Sequence, residues 1–102
     1  MDPSDLLRGL LRPRSVGEAL APGLRWIGVS SDVGLRLRVE LAGEPLWIDV
    51  QPLAEARRYA ARSRRLAFTY RTEGGRRELD GRAARSACEA IAALASANED
   101  AL

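Results

Sequence analysis

A run of strictly alternating residues at positions 33–41 constrains the fold more than any other feature of this sequence. Successive side chains of a strand point to opposite sides, so alternation predicts a strand with one buried and one polar face. The apolar members are Val33, Leu35, Leu37, Val39 and Leu41. The charged members between them are Arg36, Arg38 and Glu40. After a turn at 42–45 the pattern returns, with Leu46, Ile48 and Val50 alternating with Trp47, Asp49 and Gln51.

These two segments predict an antiparallel hairpin. If residues 42–45 form a four-residue loop, Leu41 lies opposite Leu46 and Arg38 lies opposite Asp49. The same register places Glu40 opposite Trp47 and Val39 opposite Ile48. Apolar residues then face apolar residues and opposite charges meet, which supports this register.

The first part of the chain predicts helical segments and one further strand. Asp2 and Pro3 suit the start of a helix over 2–12, which Pro13 ends. Ser15 and Glu18 form a possible capping box, which predicts a second short helical turn through Leu20. Residues 24–30 predict a strand whose facing the pattern leaves open.

The second part of the chain predicts two helices and one hairpin. Pro52 suits the first position of a helix over 53–65. Residues 66–71 predict a strand, and Gly74-Gly75 suits a two-residue hairpin turn. Asp80 predicts the cap of a last helix over 81–97, whose apolar stripe includes Cys88. Asn98 is the expected end of this helix.

Together these elements predict a single α+β domain. The order is α-β-β-β-α-β-β-α, with an antiparallel sheet and helices packed on one of its faces. We expect an N-terminal helical arm at 1–22, the α+β domain at 23–98 and a disordered tail at 99–102. The predicted order resembles that of type III secretion chaperones, a family of small dimeric α/β proteins. That resemblance implies a partner segment held in extended form.

The residue types exclude the commonest catalytic and metal sites. The chain has no histidine and one cysteine, which leaves no Ser-His-Asp or Cys-His mechanism and no Cys/His zinc site. Cys88 lies on a predicted buried stripe, which indicates a core residue and not a reactive one. We therefore expect no enzyme activity, no metal and no cofactor.

The sequence also indicates where the protein is located in the cell and what kind of genome encodes it. The acidic start of the chain lacks the pattern of a signal peptide, and no apolar run is long enough to cross a bilayer, so we expect a cytoplasmic protein without a membrane partner. All 16 basic residues are arginine, which is typical of a GC-rich bacterial genome.

The polar face of the predicted sheet is the first candidate for binding. Trp47 projects there near Arg36 and Arg38, and Trp26 joins them if it also points outward. Tryptophan and arginine are enriched at the centres of protein interfaces. In the alternative interpretation the N-terminal helix covers this face and packs on Trp47 through Leu6 and Leu10.

The leucine stripe of the first helix is the second candidate. It consists of Leu6, Leu7, Leu10 and Leu11. These side chains either dock on their own chain, pair two copies into a homodimer, or contact another protein.

The arginines of the predicted helix over 53–65 are the third candidate. They are Arg57, Arg58, Arg62, Arg64 and Arg65. They form either a solvated helix face or a contact surface for nucleic acid phosphates. Tyr59 lies among them and is expected to face inward.

The sequence thus predicts a non-enzymatic accessory, adaptor or chaperone-like module that binds another protein, with a possible homodimer. A nucleic-acid-binding protein that uses the helix over 53–65 is the alternative, and we expect it less. A non-catalytic subunit of an enzyme complex is a second alternative.

Overall fold

In the described part of the chain, six strands form one antiparallel sheet, and one long helix follows them. The computed structural model describes residues 7, 9, 15–31, 34–72 and 80–100. The strands are β1 (Ala19–Ala21), β2 (Leu24–Ser30), β3 (Leu35–Leu41), β4 (Glu44–Pro52), β5 (Ala61–Arg62) and β6 (Leu66–Thr72), and the helix is α1 (Gly81–Asp100). The strands lie in the order β1-β2-β3-β4-β6-β5. The described part of the chain is therefore α+β, as predicted.

The hairpin between β3 and β4 turns on two residues and not on four. Ala42 and Gly43 have φ angles of 51° and 83°. Two consecutive positive φ angles are typical of the type I′ turn, whose twist matches that of the flanking strands. Leu41 consequently pairs with Glu44, and Val39 pairs with Leu46.

The predicted register of this hairpin is therefore wrong by two residues. Arg38 lies opposite Trp47, and Arg36 lies opposite Asp49. Because side chains repeat their facing every two residues, this shift leaves each residue on its predicted face. Only the cross-strand partners change.

The helix predicted over 53–65 is also wrong. A single 3₁₀ turn at Leu53–Glu55 is followed by extended backbone that reaches β5. The backbone N–H groups of Ala60 and Ser63 donate to the carbonyl groups of Phe68 and Leu66, each at 2.8 Å. These backbone N–H groups thus donate to carbonyl groups of β6, and not to carbonyl groups within a helix.

The short helical turn predicted from Ser15 to Leu20 is replaced by a turn and a strand. The Glu18 N–H donates to the Ser15 carbonyl at 3.1 Å, and Gly17 takes a positive φ of 88°. Ala19–Ala21 then forms β1 and pairs with β2.

The predicted order α-β-β-β-α-β-β-α is not the order of the described elements. The resemblance to type III secretion chaperones, which rested on that order, loses its basis. Leu7 and Gly9 are helical, and the remainder of the helix predicted over 2–12 lies outside the described residues, as does the predicted hairpin at Gly74-Gly75.

Helix α1 covers one face of the sheet. The Asp80 carboxylate accepts the Arg82 N–H at 3.1 Å, which confirms Asp80 as the cap. The helix ends at Asp100, two residues beyond the predicted end at Asn98. Its buried side chains are Ala84, Ala87, Cys88, Ile91, Ala92 and Ala95. Five of these six are alanine or cysteine, and such small side chains let the helix lie close to the sheet.

The core lies between α1 and the sheet. The sheet contributes Leu24, Trp26, Leu37, Val39, Leu46, Ile48, Val50, Leu66 and Phe68, and the N-terminal Leu7 belongs to the same cluster. No helix in the described part of the chain has both the length and the apolar character needed to cross a bilayer.

Candidate interaction site on the open face of the sheet

The face of the sheet opposite α1 carries the polar members of each alternating strand, and we call it the open face. No described helix or strand packs over it, because all six strands lie in the sheet and α1 covers the other side. Strand pairing places its residues in rows across β2, β3, β4 and β6. The central rows contain Gly28, Ser30, Arg36, Arg38, Trp47, Asp49, Thr69 and Arg71.

Trp47 lies between two arginines on this face. Its cross-strand partners are Arg38 on β3 and Arg71 on β6. The guanidinium carbon of Arg38 lies 5.3 Å from the centroid of the Trp47 ring, within the range of a cation–π contact. Trp47 is partly buried and both arginines are exposed. The expected grouping of Trp47 with Arg36 and Arg38 is therefore present in the structure.

Asp49 holds two other guanidinium groups side by side. Arg36 Nε lies 2.8 Å from Oδ1 of Asp49, and Arg71 Nε lies 2.6 Å from Oδ2. The predicted pairing of Asp49 with Arg38 is wrong, because the two-residue turn brings Arg36 to that position. Each carboxylate oxygen thus orients one arginine on the open face.

Arg71 was not among the predicted site residues. It stands opposite Trp47 because β6 pairs with β4, which brings together two residues that are distant in the sequence. The local pattern of β6 shows that residue 71 is polar, but it does not show which strand lies beside it.

Two shallow depressions flank the row formed by Arg38 and Trp47. The first, with a volume of about 260 Å³, is lined by Ile27, Gly28, Val29, Ser30, Arg38 and Trp47. The second, of about 330 Å³, is lined by Gly34, Leu35, Arg36, Asp49, Val50, Gln51, Thr69 and Arg71. The first is predominantly apolar and the second is rich in charged and polar groups.

A β-bulge in β2 shapes the first depression. The register between β2 and β3 shifts between Trp26 and Gly28, so Trp26 pairs with Val39 and Gly28 pairs with Arg38. Ile27 lies at the extra position and contributes to the wall beside Trp47. A bulge re-aims side chains in this way at the cost of one unpaired residue.

Trp26 does not join Trp47 on the open face. Its side chain is 7% exposed and packs in the core beside α1. The facing that the sequence left open is thus inward, because the position of Trp26 before the bulge gives it the same facing as Leu24 and Val39.

Of the four leucines in the predicted stripe, the structure describes Leu7. Leu7 is fully buried in the core cluster, on the α1 side of the sheet. Leu6, Leu10 and Leu11 lie outside the described residues. Leu7 therefore packs away from Trp47 and gives no support to a helix lying over the open face.

The arginines of 57–65 follow an extended loop and the edge strand β5, and they do not share a helix face. Arg57, Arg58, Arg62, Arg64 and Arg65 are all exposed. Tyr59 is 43% exposed, so the expectation that it faces inward is wrong. The Arg64 N–H donates to Oε2 of Glu99 at 3.1 Å, which ties this loop to α1.

Cys88 lies fully buried in the core, as predicted. Burial raises the pKa of the thiol to about 12, because the thiolate would lose its hydration, and the charge of Glu89 acts in the same direction. The thiol is therefore protonated at neutral pH. Within the described ranges, no three Cys, Asp or Glu side chains converge as ligands of a metal ion would.

No family model matches this chain, and comparisons with curated proteins and with solved structures gave no significant match. The candidate site is therefore interpreted from its own geometry.

Proposed function

We propose that this chain is a non-enzymatic binding module whose open face docks another protein. The observation that carries the proposal is the position of Trp47, partly exposed at the centre of a sheet face over which no described helix or strand packs. Arg38 stacks on its ring, and Arg71 borders its other side. Large aromatic and arginine side chains at the centre of a surface contribute most of the binding energy in protein interfaces.

The ion pairs around Asp49 support this proposal. Arg36 and Arg71 are each fixed through Nε, so their side chains have lost part of their conformational freedom before any partner arrives. Ordering a flexible side chain costs about 0.5–1.5 kcal/mol on binding. A surface whose arginines are already oriented binds with less of this cost.

The test is quantitative capture from cells that produce the chain, with mass spectrometry as the readout. Three forms are compared: the unaltered chain, Trp47→Ala, and Arg85→Ala as a control on the exposed side of α1. A protein enriched by the unaltered chain and by Arg85→Ala, but lost with Trp47→Ala, supports the proposal. Equal enrichment by all three folded forms excludes the open face as the docking surface.

A second candidate function has one specific observation in its favour. Tyr59 is exposed among five exposed arginines at positions 57–65. Exposed aromatic rings and guanidinium groups are the usual contacts for single-stranded nucleic acid. Fluorescence anisotropy with a labelled 20-nucleotide oligothymidylate tests it. Affinity that falls steeply with salt and falls further in Tyr59→Ala would support this second function, and no binding at low salt would reject it.

A further inference from the structure

We infer that the open face binds an extended peptide that places a carboxylate against Arg36 and Arg71 and an aromatic or aliphatic side chain beside Trp47. This inference rests on the proposed function and adds the chemistry of the bound segment. It comes from the two depressions, which differ in character and lie on neighbouring rows of the same sheet.

The charge of the second depression favours an acidic group. Arg36 and Arg71 each use Nε to hold Asp49, and neither guanidinium has a further ion pair within the described part of the chain. Their Nη groups therefore remain available as donors. Arg38 lies on the neighbouring row, so the two central rows carry three arginines and one aspartate, an excess of positive charge. Arginine binds a carboxylate through two parallel hydrogen bonds, which favours this ligand group.

The shape of the first depression favours an apolar side chain. Gly28 lies opposite Arg38, and a Cβ atom built on Gly28 meets no atom within 4 Å. The missing side chain leaves an open space whose walls include Ile27 and the ring of Trp47. A Leu or Phe side chain seated there would bury apolar surface on both sides.

The rows that line the two depressions are offset as alternate residues of an extended chain are. The row of Arg38 and Trp47 and the row of Arg36 and Asp49 are two residues apart along β3 and β4. Two residues of a strand span roughly 7 Å, and an extended peptide also repeats its facing every two residues. The expected motif is therefore an acidic residue separated by one residue from an apolar one.

Two features favour a peptide over a nucleic acid on this face. Arg38 lies over the ring of Trp47, which reduces the area on which a base could stack. Asp49 and Glu40 also lie on the open face, and their charges would repel a continuous phosphate backbone. A single carboxylate avoids most of that repulsion because it needs only the Nη side of Arg36 and Arg71.

The experiment is an NMR titration of the full ¹⁵N-labelled chain with capped pentapeptides. One probe carries Glu and Phe separated by one glycine, and a second carries the same residues in reverse order. Control peptides replace Glu with Gln or Phe with Ala. The indole N–H signals of the two tryptophans are the readout, and Trp47→Phe identifies the Trp47 signal. Trp26 serves as an internal control because it is buried.

We expect at least one Glu/Phe probe to shift the Trp47 signal and to leave the Trp26 signal in place. Replacing Glu with Gln should weaken binding about tenfold, since it removes a charge-assisted hydrogen-bond acceptor. Gly28→Val should lower the affinity for the Glu/Phe probe to that of the control peptide in which Ala replaces Phe. That variant fills the depression, keeps every arginine, and suits a strand.

The inference is overturned if the two control peptides bind as tightly as the Glu/Phe probes. It is also overturned if no peptide shifts the Trp47 signal. A larger shift of the Trp47 signal with a ten-nucleotide oligothymidylate also overturns it and assigns the face to nucleic acid. The capture experiment with Trp47→Ala distinguishes failure of the docking proposal from failure of the peptide inference alone. If that variant loses a protein partner while the peptides fail, the docking proposal stands and only the peptide chemistry is wrong.

Discussion

Arg36 on β3 and Asp49 on β4 lie directly opposite each other, with 2.8 Å between Arg36 Nε and Asp49 Oδ1. Both side chains are about three-quarters buried, at 27% and 24% exposure. The pair is thus less accessible to water than a typical surface ion pair, and Arg71 binds the second oxygen of the same carboxylate. This geometry makes the pair a measurable contributor to the stability of the sheet.

A double-mutant cycle with Arg36→Ala and Asp49→Ala should give a coupling free energy of about 1 kcal/mol in urea unfolding. The control is the pair Arg85–Glu89, which is 3.8 Å apart with 64% and 61% of its side chains exposed. Solvent screens that pair strongly, so its coupling should be smaller. A cycle on Arg36 and Asp49 that gives no more coupling than the control would contradict this assignment.

Replacing Ala42 with Asn should stabilise the protein. Ala42 has a φ of 51°, a region that alanine occupies only with strain and that asparagine tolerates. The variant creates the Asn-Gly dipeptide preferred in type I′ turns. We expect a gain of about 0.5–1 kcal/mol in the free energy of unfolding, measured by urea denaturation. Gly43→Ala, with φ of 83° at that position, should lower stability, and a gain there would argue against the type I′ turn.

Removing the hydroxyl of Ser63 should destabilise the turn between β5 and β6. Ser63 is 4% exposed, and its Oγ accepts the Leu66 N–H at 3.0 Å. In Ser63→Ala this buried N–H loses the acceptor, at a cost of about 1–2 kcal/mol. Ser86→Ala, at an exposed position of α1, is the matched control and should change stability by less than about 0.5 kcal/mol. Equal effects of the two substitutions would show that the Ser63 hydroxyl has no structural role.

The Cys88 thiol should make stability fall at alkaline pH. Its pKa is about 12 in the folded chain against 9.0 for an unperturbed thiol, so the unfolded chain releases this proton first. Between pH 9 and 12 the folded state therefore binds more protons, and the free energy of unfolding decreases as pH rises. One proton contributes up to about 1.4 kcal/mol per pH unit in this range.

Cys88→Ala isolates that contribution, since the other titrating groups are common to both proteins. Stability measured from pH 8 to 11 should decline more steeply for the unaltered chain than for the variant. Parallel declines would show that the thiolate is tolerated in the core. Reaction of the folded chain with a thiol reagent provides a second measurement, and its rate should follow the fraction of unfolded protein.

The facing of the central strands could be predicted from the sequence, and their partners could not. Period-2 alternation is local, and it correctly placed Arg36, Arg38 and Trp47 on one polar face. The register depended on whether Ala42 would take a left-handed conformation, for which alanine has no preference. The position of Arg71 beside Trp47 depended on the long-range pairing of β6 with β4, which no local pattern contains.

The segment over 53–65 shows the limit of helix propensity. Alanine and arginine both favour helices, so the composition of this segment predicts one. Its backbone instead pairs with β6, and Ser63 closes the turn with its hydroxyl. Tertiary pairing outweighs a preference worth only tenths of a kcal/mol per residue. Trp26 was ambiguous for a related reason, because the bulge after it changes the facing of the strand.

Helix α1 follows all six strands in the sequence, and this order has a consequence for biosynthesis. Once residues 19–72 have left the ribosomal exit tunnel, the strands can pair, but the apolar face formed by Leu37, Val39, Ile48 and Phe68 still lacks α1 as its cover. That face stays open to solvent, and to other nascent chains, until the helix has left the exit tunnel. In the interval between emergence of β6 and docking of α1, this apolar face is therefore most exposed to aggregation.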